Sequence, residues 1–118
     1  MSAEVQRTKR SLKIQGDAVR RLNKELESYQ NEVSDLSVKL GKQVESAEDK
    51  YDIKNTERMI DESKKMVKVT KESLANKNLE LRELVTRVKN EEAGKEGSEL
   101  MYSEELKKAT EILEMVNT

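Results

Sequence analysis

Six aliphatic residues, Ile53, Ile60, Val67, Leu74, Leu81 and Val88, recur at every seventh position without a slip. That period keeps them on one seam of a slightly underwound helix and leaves no room for the two-residue alternation of a half-buried strand. The position three residues further on in each heptad reads Thr56, Ser63, Thr70, Lys77 and Leu84. Small side chains there admit a close neighbouring helix but contribute little apolar burial. The stripe therefore needs widening, and Met59 and Met66, one place before Ile60 and Val67, provide it. Asp49 with Asp52 offers an N-terminal cap and first-turn negative charge, so the helix is predicted from about Lys50 to about Ala93, where AGKEGS supplies two glycines and a serine.

An earlier seam runs through Leu12, Val19, Leu22, Leu26, Tyr29, Val33, Leu36 and Leu40, predicting a first helix over about 5–44 and roughly 60 Å long. Gly16 is expected to loosen its first turns and Gly41 to herald its end. A third, shorter helix is predicted over about 98–117 from Tyr102, Leu106, Ala109, Leu113 and Val116, widened by Ile112 and capped by Ser98 or Ser103. Connections at about 45–49 and 93–98 are too short for anything but antiparallel neighbours. The fold expected over 1–118 is a single all-α domain: an elongated antiparallel three-helix bundle with coiled-coil-like heptad packing and a shorter third helix. That third helix can cover only the start of the first helix and the end of the second. Around Tyr29–Leu40 and Ile53–Met66 two helices pack alone, and exposed apolar surface, self-association or a partner is expected there.

Composition narrows the chemistry. With 40% charged residues, 34% apolar residues, and three tyrosines as the sole aromatics, the chain cannot fill a thick core. No proline and four glycines leave the turns of an all-β fold unsupplied. The near balance of 23 basic and 24 acidic residues argues against a self-repelling disordered chain. Without histidine or cysteine, the usual zinc sites, Ser–His and Cys nucleophile arrangements and disulfides are excluded. A reducing, cytoplasmic setting is expected, since no leader-like or bilayer-length apolar run is present. Carboxylate pairs such as Asp61–Glu62 and Glu91–Glu92 diverge on helices that form no pocket, so neither an enzyme nor a bound cofactor or metal is expected. The basic residues cluster: Arg7, Lys9, Arg10, Lys13, Arg20, Arg21 and Lys24 face Asp17 alone, and Lys64, Lys65, Lys68 and Lys71 form a second group. Each group is read first as a solvated face and, as the alternative, as a surface for an acidic partner. Nucleic acid is not expected, given pI 5.7 and no interleaved Phe or Trp. A membrane is not expected either, because the apolar stripe beside the lysines is needed for the core.

Two stretches, VRRLNKELESYQNEV (Val19–Val33) and YDIKNTERMIDESKKMV (Tyr51–Val67), resemble the tubulin-binding cofactor A family. The first matches at Arg20, Arg21, Lys24, Glu25, Tyr29 and Glu32, preceded by a similar Leu12–Ile14; the second at Tyr51, Asp52, Ile53, Lys54, Glu62, Ser63, Met66 and Val67. Lys68 stands where family members commonly carry a proline, which removes that source of a kink in the second helix. The resemblance implies a non-catalytic helical cofactor, cytoplasmic and associated with the cytoskeleton. It would capture β-tubulin released from the chaperonin and stabilise it on the route to the α/β-tubulin heterodimer, with other tubulin-folding cofactors as further partners and no nucleotide or metal. The contact region it suggests is Arg21, Lys24, Glu25, Tyr29, Tyr51, Asp52, Lys54, Met59, Ser63, Lys64, Met66 and Lys68. The structural alternative is seam packing for Tyr29 and helix entry or capping for Tyr51 and Asp52. The functional alternative is a self-associating coiled-coil scaffold or tethering module, and monomer or homodimer stays open.

Overall fold

A computed structural model describes residues 2–116, which form three α-helices with no strand among them. These are α1 (Ala3–Glu45), α2 (Lys50–Glu92) and α3 (Glu104–Met115). The all-α class and the first two helices are as expected. Asp49 begins α2, its Oδ1 accepting the Tyr51 N–H at 2.9 Å, and α2 is one unbroken helix through Lys68. Its end is followed by Gly94 at φ +78°, a left-handed position that glycine adopts without a Cβ penalty.

α3 starts later than expected. Of the two candidate caps, Ser103 opens the helix, its Oγ accepting the Leu106 N–H at 3.2 Å from an extended backbone. Ser98 instead organises the preceding turns: its Oγ accepts the Met101 N–H and donates to Glu92 Oε1, both at 3.2 Å. Tyr102 is therefore not the first residue of the α3 stripe. It precedes the cap and is 82% exposed, while Leu100 is buried. The far end expected at Asn117 lies outside the described residues.

Neither α1 glycine interrupts the helix. Gly16 is buried, and a Cβ there would lie 3.2 Å from Ile112 Cδ1, so glycine permits α3 to approach closely. Gly41 sits a turn before the helix end with open space around it. The reversal between α1 and α2 uses Ala47 at φ 52°, with Glu48 N–H donating to the Gln43 carbonyl at 3.0 Å.

The chain divides into two compact units. The first takes residues up to Asn23 and from Ser73 onward. It buries twelve apolar side chains: Leu12 and Val19 of α1, Leu74, Leu81, Leu84, Val85 and Val88 of α2, then Leu100, Leu106, Ala109, Ile112 and Val116. Lys77, expected on its seam, is exposed, and Asn78 is buried instead. Asn78 lies four residues after Leu74 and three before Leu81, so between those two buried leucines the stripe steps by four and then by three.

The second unit is Lys24–Glu72, an antiparallel hairpin of the end of α1 and the start of α2. It buries only Leu36 and Ile60 among its apolar residues, together with Gln43, Thr56, Ser63 and Thr70. The Thr56 hydroxyl is satisfied within its own helix by the Asp52 carbonyl at 3.2 Å. At about 1.5–3 kcal/mol per buried Leu, Ile or Val side chain, eleven against two, with Ala109 adding less, places most apolar stabilisation in the first unit.

Candidate partner-binding surface

Of the twelve residues expected to meet a partner, Arg21 falls in the first unit and the other eleven in the second. Arg21, Lys24, Glu25, Asp52, Lys54, Lys64 and Lys68 are exposed, as are Tyr51 at 84% and Met66 at 39%; Tyr29 and Met59 are half-buried. Ser63 is 5% exposed and belongs to the seam, which leaves it outside the exposed surface. Tyr29 fits the packing alternative. Capping of α2 falls to Asp49, so Tyr51 contributes its backbone there while its ring stays in solvent.

Helical geometry divides the α2 residues between two flanks of the seam line Thr56–Ser63–Thr70. On one flank lie Met59 and Met66, seven residues apart, extended by Val69 at 53% exposure. On the other lie Lys64, Lys68 and Lys71 at i, i+4 and i+7. One helix thus offers an adaptable apolar strip and a cationic strip, and the expected residues do not merge into one patch. Val69 was not among them, although its place three residues after Met66 is a legible signal.

The two basic clusters behave differently. In the first, Lys9 pairs with Glu99 at 3.0 Å and Arg20 with Asp17 at 3.2 Å. In the second, Lys64, Lys65, Lys68 and Lys71 make no ion pair among the described residues. Away from this surface, the Lys95 ammonium hydrogen-bonded to Glu92 at 2.7 Å holds that carboxyl below its usual range, helped by Lys95's charge and by Ser98; the same contact raises Lys95.

A groove of about 510 Å³ lies between α1 and α3 in the first unit, with Leu12, Gly16, Ala109 and Ile112 among its lining and charges of both signs around them. Among the described residues no group of three or more metal-ligating side chains converges, and no helix is long and apolar enough to cross a membrane.

A sequence profile of the family described as Tubulin binding cofactor A matches residues 7–113. Among solved structures, the crystal structure of tubulin folding cofactor A from Arabidopsis thaliana is similar at a TM-score of 0.72 and 31% identity, covering 94% of this chain and 99% of that one. No curated protein sequence matches.

Proposed function

This chain belongs to the tubulin binding cofactor A family, and from that premise we propose that it captures β-tubulin and holds it against aggregation until other tubulin-folding cofactors bring it to the α/β heterodimer. The role is non-catalytic and set in the cytoplasm beside the cytoskeleton. The observation that carries this reading is the second unit, which combines few buried apolar side chains, exposed Met66 and Val69, and unpaired lysines on one helix. The flexible methionine side chain gives a partner apolar contact that tolerates imperfect fit, valine adds apolar area beside it, and the lysines steer an acidic partner to it. Such a surface shields a folding intermediate without performing chemistry.

Dilution of denatured β-tubulin into buffer with a stoichiometric amount of this chain tests the proposal. The expected result is suppressed light scattering and co-elution of the two proteins on size exclusion. Aggregation unchanged by the chain would overturn it. A concentration-dependent polymer of the chain that ignores tubulin would assign the scaffold reading instead.

A further inference from the structure

We propose that the Lys64–Lys71 face of α2 is a seat for an extended, glutamate- or aspartate-rich peptide segment. It deepens the capture reading, and rests on it, by naming the chemistry of the segment held. Over residues 64–71 the sequence is KKMVKVTK, with four lysines and no acid. All four side chains belong to exposed residues, and none has an acidic partner among the described residues. Lys64 and Lys68 are a like-charged i, i+4 pair, and Lys65–Lys68 and Lys68–Lys71 are like-charged at i, i+3, so the folded helix concentrates repulsion that Asp61 and Glu72, one turn away at either end and in no ion pair with these lysines, offset only in part. Carboxylates laid along this face would relieve it.

The ends of the seat are marked by acids. Asp61 and Glu62 precede it and Glu72 follows it directly, so a polyanion is attracted only between them. From Lys64 to Lys71 the helix rises about 10 Å. An extended peptide covers that distance in about three to four residues. The seat therefore fits a short run of consecutive carboxylates rather than a long charged track.

Carboxylates are favoured over phosphates on three grounds. The run contains no arginine to grip a phosphate bidentately, no aromatic residue to stack a base, and the whole chain carries a net charge of −1. A lipid surface would need an apolar stripe among the lysines, but Ser63 and Thr70 are buried and Val67 half-buried in the seam, while Met66 and Val69 sit on the other flank.

The test uses the full chain and a fluorescein-labelled deca-glutamate peptide, read by anisotropy. Expected is saturable binding that weakens at least tenfold as salt rises from low to physiological strength, and that falls at least tenfold in K64Q/K65Q/K68Q/K71Q. Glutamine keeps helix propensity, and circular dichroism checks helicity; the milder K64Q/K68Q is expected to lose about half the effect on a logarithmic scale. Lys89→Gln, at an exposed position of the first unit outside both basic clusters, is expected to leave binding within twofold. Binding unaffected by the quadruple variant, or no binding at low salt, overturns the inference. Tighter binding of an oligouridylate of equal charge, or of phosphatidylserine vesicles, overturns it in favour of nucleic acid or membrane. Because no tubulin is present, these outcomes are distinct from failure of β-tubulin capture.

Discussion

Replacing Ile60 with alanine is expected to open the second unit while leaving the first closed. Ile60 is 7% exposed, and Leu36 is its only equally buried apolar companion in Lys24–Glu72. The substitution deletes three carbon atoms, worth about 2.4 kcal/mol in transfer free energy at about 0.8 kcal/mol per methylene. A cavity would add to this, but a two-helix hairpin whose neighbouring seam residues are Thr56 and Ser63 collapses more easily than an enclosed core, so the cost stays near the low end, about 2.5 kcal/mol. That is roughly a sixtyfold increase in the opening equilibrium. Native-state hydrogen exchange reads it directly: amides over 26–43 and 53–70 should exchange about sixtyfold faster, while those over 8–20, 76–90 and 106–114 stay within about twofold. Leu81→Ala, at a fully buried position of the first unit, should instead accelerate exchange over 76–90 and 106–114, while amides over 26–43 and 53–70, which exchange through the hairpin's own opening, change little. If Ile60→Ala speeds all amides equally, the hairpin has no separate opening and the argument from its sparse apolar burial fails.

Gly41→Ala should stabilise by about 1 kcal/mol, since the new methyl meets nothing, and Gly16→Ala by somewhat less, because Ile112 Cδ1 must yield a few tenths of an ångström beside a groove with room for it. For 118 residues this is about 4 °C per kcal/mol in Tm, read by circular dichroism; a fall for Gly16→Ala would mean that Ile112 cannot move. Ser103→Ala removes the cap of α3 and leaves the Leu100 carbonyl without its 2.7 Å donor, so Tm should drop by about 4–8 °C. Glu92 binds its proton more weakly in the folded chain than in the unfolded one, so its contribution is present above the ordinary carboxylate value of 4.5 and is lost as pH falls through its lower folded value. Lys95, shifted upward, contributes below its ordinary 10.5 and loses that contribution as pH rises through the folded value. Tm measured from pH 7 to 3 should accordingly fall less steeply in Glu92→Gln than in the parent.

Most of the architecture was readable because heptad spacing is a property of the chain itself. Ile60, Leu74, Leu81 and Val88 are buried as their period requires, and Asp49 begins α2 where its side chain indicated. The misreadings have local causes. Tyr102 lies four residues before Leu106 and so fits the period of α3, but the competition between two serine caps is decided by hydrogen bonds that spacing does not contain: Ser98 holds Glu92 and the Met101 amide, leaving Ser103 to cap. Asn78 replaced Lys77 because the stripe steps by four and then three between Leu74 and Leu81, an order that the seven-residue spacing of those leucines leaves open. The surface was harder to read than the core because seam and binding strip share one period. Ser63 and Met66 are three residues apart on α2, yet one is buried and the other exposed.

If the second unit is the part that meets β-tubulin, site-specific photo-crosslinking will read the contact out residue by residue. A photoreactive residue placed at Met66 should give a covalent adduct with β-tubulin, whereas one at Leu79 or Tyr102, exposed positions of the first unit, should give none. Adducts from Leu79 or Tyr102 with none from Met66 would contradict it.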